Sequence, residues 1–323
     1  MNLLKHLKYD PIEPLLLCGY DRVVFFTRRD LLGETMGDVS EFWRSKDAQR
    51  IIIRQKSDGR WEYPNPKERI RKKEHYDLLE TYRQLGYLVE YFGFDRTHSS
   101  IRLAKEFVFK YQSGEGDIRG IYWNQYSPNY TAGFLELFLK AGYSDDEEIL
   151  KGLEWLLSIR QDDGGWTIPI RTTKGKISTW SEDAPPVQPD RTKRYSYMVS
   201  GVVLRAFAHH LDYREREEVK KAAELVLSRI FRRDYYPDRG TPEFWTKFSF
   251  PYWYTDLIAV LDPISRLGFK PDHPKVAEGI QWFRDNQEEN GTWKLRLLKG
   301  EKYEQPHWMA LNICRLLKMF YLP

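Results

Sequence analysis

Apolar residues recur at helical spacing along most of the chain. In one clear example, Ile149, Leu150, Leu153, Leu156 and Leu157 fall on a single helical face. Segments of this kind carry charged residues on their other face, and they alternate with segments that are apolar nearly all round. A helix with one apolar stripe lies at a surface, whereas one that is apolar all round is buried. The pattern therefore predicts an all-α fold in which outer and inner helices alternate.

The two classes of segment follow one another in strict order. The predicted inner helices are Pro14–Arg29, Tyr76–Phe92, Asn129–Ala141, Tyr195–Leu211, Tyr252–Leu267 and Pro306–Phe320. The predicted outer helices are Val39–Gln55, Ser99–Gln112, Glu147–Gln161, Arg214–Phe231 and Pro274–Gln287. The chain finishes in the apolar run Phe320-Tyr-Leu-Pro323, which favours a closed double ring over an open solenoid with polar caps. A short N-terminal segment would then take the sixth outer place.

A short motif ends several of the outer helices: Gln, a polar turn, Gly, any residue and Trp. The clearest copies are Gln55-Lys-Ser-Asp-Gly59-Arg-Trp61, Gln161-Asp-Asp-Gly-Gly-Trp166 and Gln287-Glu-Glu-Asn-Gly291-Thr-Trp293. A copy at Gln112–Ile118 has Ile in place of Trp, and the one before Trp245 has lost its Gln. Such a repeat predicts stacked helical units that share one core.

The motif within Lys151–Trp166 resembles the repeat of squalene–hopene cyclases, oxidosqualene cyclases and protein prenyltransferase β subunits. Ser127-Pro-Asn-Tyr-Thr-Ala-Gly133 and Gln305-Pro-His-Trp-Met-Ala-Leu311 also resemble the starts of inner helices in those cyclases. The resemblance implies an (α/α) toroid that spans residues 1–323 as a single domain. It also implies an isoprenoid, a small hydrophobic partner, bound or transformed in a central aromatic cavity.

Two departures separate the chain from the known chemistries of that superfamily. The sequence has no Asp-x-Asp-Asp motif, whose middle Asp protonates the substrate in class II cyclases. His307 falls where prenyltransferases place a zinc-binding His, but the segment Pro251–Asp256 has no Cys to complete the zinc site. We therefore expect no metal and no cofactor; magnesium would enter only with a diphosphate substrate.

The candidate catalytic residues are Asp256, His307 and Asp77. Asp256 is predicted one turn inside an apolar inner helix, where burial would keep a proton available. Asp77 is in the first turn of its predicted helix, where an acid commonly serves the helix terminus instead. His307 could act as an acid, a base or an anion donor.

The starts of the inner helices are rich in aromatic and amide side chains. The candidate substrate-binding residues are His75, Tyr76, Trp123, Asn124, Tyr126, Asn129, Tyr130, Tyr195, Tyr197, Tyr252, Trp253 and Trp308. Aromatic faces stabilise a carbocation by about 2 kcal/mol for each desolvated contact, and they also stack on sugar rings. Helix N-termini offer free N–H groups that suit anions. The alternative is that many of these rings fill the core.

Composition narrows the partners. Lys+Arg 51 against Asp+Glu 47 gives a mixed surface and a net charge of +4, which argues against nucleic acid. No apolar run approaches the roughly 20 residues of a membrane span, and the N-terminus lacks the apolar core of a signal peptide. These features predict a cytoplasmic protein, with peripheral membrane contact and oligomeric state left open. Cys18 and Cys314 lie in apolar stretches and are expected to be buried, reduced thiols.

One connection is longer than the rest. Residues Thr167–Arg194 are rich in Pro, Lys, Thr and Ser, and Trp180 lies among them. Long loops of this kind are either functional lids or tolerated insertions, and the Trp favours a lid.

Two functions compete with isoprenoid chemistry. A polysaccharide lyase or glycosidase would use the Tyr, His, Asn and Arg side chains to neutralise and deprotonate a uronate. A non-catalytic scaffold would use the repeats only as a binding surface.

Overall fold

A computed structural model describes residues 5–64, 73–173, 184–298 and 304–322. These residues are mostly helical, which confirms the all-α prediction. The α-helices are α1 (Ile12–Leu16), α2 (Asp21–Phe26), α3 (Lys46–Ile52), α4 (Lys73–Phe92), α5 (Ser99–Phe109), α6 (Pro128–Lys140), α7 (Glu147–Ser158), α8 (Tyr197–Ala208), α9 (Glu217–Leu227), α10 (Leu257–Arg266), α11 (Pro274–Asp285) and α12 (Gln305–Tyr321). No helix among the described residues is both long and apolar enough to cross a membrane.

Shorter elements complete the described chain. A π-helical stretch, Thr27–Leu32, continues α2, and 3-10 helices occupy Val39–Arg44, Pro169–Arg171, Tyr213–Glu215, Pro237–Arg239 and Pro242–Thr246. Two strands, β1 (Lys247–Phe248) and β2 (Arg296–Leu297), pair in parallel. The strands were not expected from the sequence, because two-residue segments carry no detectable alternation.

Most of the predicted helices shift by a few residues in the structure, and Val39–Gln55 and Arg214–Phe231 each divide into a 3-10 helix and a shorter α-helix. The segment predicted as Pro14–Arg29 is interrupted, because Gly19 adopts a φ of 75° between α1 and α2. The segment predicted to start at Tyr252 becomes helical only at Leu257, where Asp256 is the N-cap. Asp256 is therefore at the end of its helix and not one turn inside it.

The chain forms two compact units. The middle unit is Val39–Tyr213, and the terminal unit combines Met1–Asp38 with Arg214–Pro323. In the middle unit α6 packs against α4, α7 and α8. In the terminal unit α12 packs against α10, α2 and the π-helical stretch. The single closed ring remains a prediction.

Helices α4 and α6 run in the same direction. Tyr82 of α4 contacts Tyr130 at the start of α6, whereas Glu90, farther along α4, pairs with Lys140 at the end of α6 at 2.6 Å. Helix α6 is buried along most of its length, as predicted for an inner helix, and α7 buries one face. The polar and aromatic residues at the start of α6 are thereby set beside the middle of α4.

The turns that follow α3 and α5 share one geometry. The Gln55 carboxamide donates to the carbonyl of Gly59 at 3.0 Å and to that of Ser100 in α5 at 2.9 Å. Gln112 does the same with Gly116 at 2.9 Å and with Glu148 in α7 at 2.8 Å. Each Gln thus links its own turn to the first turn of the second helix that follows it.

The tryptophans of the motif bond the helices that precede the turns. The indole N–H of Trp61 donates to the carbonyl of Ile51 at 2.7 Å, and that of Trp166 to Leu156 at 2.6 Å. Trp293 makes the corresponding bond ten residues back, to Phe283. A buried indole needs such an acceptor.

The last turn is completed by the N-terminal segment. Gln287 donates to the carbonyls of Tyr9 and Gly291, both at 3.0 Å, and accepts from the N–H groups of Lys8 and Tyr9. Residues 8–10 therefore contact the turn that follows α11. The first turns of α5 and α7 contact the turns after α3 and α5 in the same way. The sixth outer place expected for this segment depends on the closed ring and stays a prediction.

The long insertion is anchored at its described end. Gln161 donates to the carbonyls of Asp190 and Lys193 at 2.7 and 3.0 Å. Its carboxamide thus holds the returning insertion and not an outer helix. Residues 174–183, with Trp180, lie outside the described chain, so the lid remains a prediction.

Both cysteines are free thiols, as expected. The expected burial is found for Cys314, whereas Cys18 is only half-buried. Burial raises the pKa of each thiol, so both stay protonated near neutral pH.

Candidate ligand-binding site

An aromatic cluster lies beside the first turn of α6 in the middle unit. The ring centroids of Tyr122 and Tyr130 are 5.3 Å apart, and those of Tyr82 and Tyr130 are 5.8 Å apart. We call these three residues the tyrosine cluster. Tyr82 is buried, whereas Tyr122 and Tyr130 are half-buried. Two of the three rings therefore have part of their surface outside the core.

Backbone features bring the three rings together. A Cβ atom at Gly133 would lie 2.6 Å from the Tyr82 hydroxyl, so only glycine admits this ring against α6. Tyr122 lies in a tight turn in which Gly120 and Trp123 exchange two backbone hydrogen bonds of 2.9 and 3.0 Å. Trp123 takes a φ of 53° in this turn. A bulky residue seldom adopts that conformation, which costs about 1–3 kcal/mol and marks positions held by their surroundings.

Polar groups border the cluster. The Asn129 carboxamide donates to the Tyr122 hydroxyl at 3.3 Å. Ser127 is the N-cap residue of α6, although its side chain makes no capping bond. The half-buried ring of His75 lies close to Gly120 of the same turn. The structure thus brings His75, Trp123, Asn129 and Tyr130 from the predicted set into one neighbourhood.

Asn124 and Tyr126 make a different set of contacts. Asn124 accepts from Arg119 at 3.1 Å and donates to the carbonyl of Ala184 at 2.9 Å. The Tyr126 hydroxyl donates to Glu115 at 2.7 Å and accepts from Gln188 at 2.9 Å. Burial, reinforced by Glu115, raises the pKa of Tyr126. These two side chains hold the described end of the insertion against the loop before α6.

Asp77 and Tyr76 pack against the turn that follows α3. Asp77 is buried, accepts from the N–H of Tyr63 at 2.9 Å and lies 3.3 Å from the Arg60 guanidinium. The ring of Tyr76 is 5.3 Å from that of Tyr63. In these contacts the Asp77 carboxylate joins α4 to the preceding turn.

Tyr195 and Tyr197 are core residues. Both are buried at the start of α8. A Cβ atom at Gly165 would lie 2.5 Å from that of Tyr195, which shows how tightly the two backbones approach. These two rings fill the core, which was the alternative interpretation of the aromatic residues at the helix starts.

A second aromatic group belongs to the terminal unit. The ring of Trp308 lies 5.4 Å from Phe250, which in turn lies 5.3 Å from Tyr252. The His307 ring is 5.3 Å from that of Tyr20. The half-buried Trp253 follows in the same loop, where its N–H donates to the carbonyl of Pro251.

Asp256 is a buried cap. One of its carboxylate oxygens accepts from the N–H of Ala259 at 2.9 Å, and the other accepts from that of Ser249 at 3.2 Å. These bonds tie the start of α10 to the end of the strand segment. Within the described part of the chain, His, Cys, Asp and Glu form no group of three or more that could hold a metal ion.

Sequence reasoning overlooked Tyr82 and Tyr122. Tyr82 lies in the middle of α4 and not at a helix start. Its position in the cluster is visible only in the folded structure, where its ring packs against Gly133. Tyr122 is next to Trp123, which was singled out, and the positive φ at Trp123 is a property of the folded turn.

The chain matches no protein-family model, and no curated protein matches its sequence. Solved structures with some likeness include the type II terpene cyclase MstE from Scytonema, at 14% identity and a TM-score of 0.36, covering 87% of this chain and 98% of that one. A variant of the same cyclase in complex with geranylgeranyl dihydroxybenzoate gives the same identity and TM-score, over 87% and 97% of the two chains. A protein from Actinoplanes is 12% identical, with a TM-score of 0.32 over 87% and 99%. Similarity at this level establishes neither a shared fold nor a shared activity.

Proposed function

We propose that the protein binds an isoprenoid chain at the tyrosine cluster. The observation that carries this proposal is the pair of half-buried rings, Tyr122 and Tyr130, set at a steep angle of 68° to each other. Both rings keep part of their surface outside the core, where a ligand can pack against them. The repeat resemblance supports the same ligand class.

The physical chemistry of an isoprenoid suits this arrangement. Burial contributes about 0.8 kcal/mol for each CH₂ group, so one five-carbon unit contributes about 4 kcal/mol when fully removed from water. The electron-rich double bonds and methyl groups of the chain pack on ring faces and edges. Any cationic character that develops along the chain would be stabilised by the same faces.

Turnover is a separate part of the proposal. Its candidates are Asp77 in the middle unit and Asp256 and His307 in the terminal unit, and each is tested by itself. A class II reaction begins with protonation of an alkene, which requires a carboxylic acid. Replacement of Asp256 by Asn removes the acid but keeps an N-cap residue of equal size. We expect D256N to lose turnover and to stay folded, with a somewhat lower melting temperature because Asn has one acceptor oxygen for the two N–H groups that Asp256 binds; unchanged turnover would remove Asp256 from the mechanism.

Binding is tested by thermal shift with two ligand sets. The first set holds squalene, geranylgeraniol, and farnesyl and geranylgeranyl diphosphate, with and without magnesium; the second holds acidic oligosaccharides. A ligand at 100 times its Kd stabilises the folded state by about 2.7 kcal/mol. The informative variant is Tyr130→Leu, which keeps an apolar side chain, and the matched control is Tyr87→Leu at a half-buried tyrosine farther along α4.

The outcomes separate the functions. A shift with isoprenoids that is lost in Tyr130→Leu and kept in Tyr87→Leu supports the proposal. A shift with oligosaccharides alone would replace it with the lyase or glycosidase. If no ligand of either set shifted the melting temperature, the non-catalytic scaffold would be favoured.

A further inference from the structure

The start of α6 carries polar groups that the fold itself does not use. Ser127 is 1% exposed, and its hydroxyl has no hydrogen-bond partner in the described structure. The oxygen of the Asn129 carboxamide is also buried without a partner there. Buried polar groups nearly always find a partner. Two such atoms within three residues therefore point to a ligand group at this helix end.

Ser127 occupies the position from which a side chain normally caps its helix. Its carbonyl accepts the first helical bond, from the N–H of Thr131 at 2.9 Å, but its hydroxyl makes no capping bond. Ser196, the N-cap of α8, does bond the N–H of Val199 at 3.3 Å. The first N–H groups of an α-helix have no acceptor within the helix. At α6 the first residue, Pro128, has no N–H group, and the Ser127 side chain caps none of the N–H groups that follow it.

These groups match an anion. The N-terminus of a helix combines unsatisfied N–H donors with the positive end of the helix dipole, and oxyanions bind there. The Ser127 hydroxyl adds a further donor. The Asn129 carboxamide can turn over, so that its oxygen accepts from Tyr122 and its NH₂ group faces the ligand.

The polar end adjoins the tyrosine cluster through two residues. Asn129 bonds the hydroxyl of Tyr122, and Tyr130 follows Asn129 in the same helical turn. One ligand can therefore engage both regions, with its polar group at the helix end and its hydrocarbon on the rings.

We infer that the ligand is an isoprenoid ending in an oxyanion, a phosphate or a carboxylate, and that the N-terminus of α6 with Ser127 and Asn129 binds this head group. The inference rests on the proposed function, because the chain of the same ligand occupies the tyrosine cluster.

The test compares three probes that share one hydrocarbon chain: geranylgeranyl monophosphate, geranylgeranoic acid and geranylgeraniol. Equilibrium affinities are measured for the intact protein and for Asn129→Asp. An Asp in the first turn suits the helix dipole, so this variant folds while placing a negative charge at the head-group position. The matched control is Ser99→Asp, an exposed first-turn position of α5 in the same unit.

We expect at least one of the two anionic probes to bind tenfold or more tightly than the alcohol. Asn129→Asp should remove that advantage and leave the affinity for the alcohol unchanged, whereas Ser99→Asp should preserve it. Ser127→Ala should reduce the affinity for the anionic probe several-fold without lowering the melting temperature, because this hydroxyl caps nothing. The stronger anionic probe identifies the head group as phosphate or carboxylate.

Failure of the head-group site and failure of isoprenoid binding give different results in this test. Equal binding of the alcohol and both anions would overturn the oxyanion site and leave the isoprenoid function standing. An anion preference that survives Asn129→Asp would place the head group elsewhere and overturn the inference. Lack of binding by all three probes would overturn both proposals, and a response to inorganic phosphate as strong as that to geranylgeranyl monophosphate would show that the chain plays no part.

Discussion

The buried ion pair between α6 and α8 gives the sharpest test of the packing in the middle unit. Arg205 of α8 lies 2.8 Å from one carboxylate oxygen of Glu136, and Lys140 lies 2.8 Å from the other. The side chains of Arg205 and Glu136 are 0% and 3% exposed. Burial on its own would raise the pKa of Glu136, but the charges of Arg205 and Lys140 outweigh it and lower that pKa from 4.5 to about 2.

The size of the effect follows from this shift. A difference of 2.5 pKa units at 1.36 kcal/mol per unit corresponds to about 3 kcal/mol. Because the pKa is lower in the folded state, this stability is complete above pH 4.5 and is lost as the pH falls through about 2. At pH 3 about 1.4 kcal/mol of it remains. Arg205→Met keeps most of the volume but removes one of the two charges that lower this pKa, so it should cost about 3 kcal/mol at pH 7.

The assay is urea unfolding followed by far-UV circular dichroism at pH 7 and pH 3. The difference between the native protein and Arg205→Met should shrink toward pH 3, where Glu136 takes up a proton more readily. A second change, Glu136→Gln, should restore part of the loss because no unpaired charge then remains. Arg50→Met, at an exposed ion pair with Asp47 in the same unit, should change stability by less than about 0.5 kcal/mol. A loss below about 1 kcal/mol for Arg205→Met at pH 7, or one that is independent of pH, would refute the reasoning.

Three further predictions concern the repeat turns and the cap of α10. Gly116 has a φ of 115°, and a Cβ atom there would lie 2.6 Å from a backbone oxygen of α7; Gly116→Ala should therefore cost about 2 kcal/mol or more in urea unfolding, while Gly114→Ala, with open space around it, should cost far less. Gln287→Ala should speed amide hydrogen exchange at residues 8–9 and lower stability by about 1–3 kcal/mol, and unchanged exchange would show that the N-terminal segment is held by other contacts. Asp256→Ala should destabilise by about 1–2 kcal/mol, whereas Asp256→Asn should keep most of the cap; equal losses would contradict the capping role.

The hydrophobic periodicity predicted those helices in which each face is either buried or exposed along the whole helix. Helix α7 has one buried stripe because a single face meets its neighbours, and α6 is buried nearly all round because helices lie on several sides of it. In both cases the hydrophobic pattern records the burial directly. The Gly backbone and the Trp indole of the motif make hydrogen bonds within about ten residues, whereas Gln55, Gln112 and Gln161 bond partners that lie about thirty or more residues away and differ from turn to turn.

Other features depended on contacts distant in sequence. Asp256 was expected inside a helix because the apolar run begins earlier, but its carboxylate stops the helix by accepting from Ser249 and Ala259. Tyr82 joins the candidate site only because Gly133, some fifty positions later, leaves room for its ring. Such pairings are set by tertiary packing, and the hydrophobic pattern of a single sequence does not reveal them.

The most direct measurement of the central claim is photoaffinity labelling with a geranylgeranyl probe that carries a diazirine on its chain, followed by peptide mass mapping. The account predicts that labelling concentrates on the peptides holding Tyr122 and Tyr130, is displaced by unlabelled ligand and falls sharply in Tyr130→Leu. Labelling that spreads evenly over exposed peptides, or that ignores the Tyr130→Leu change, would contradict isoprenoid binding at the tyrosine cluster.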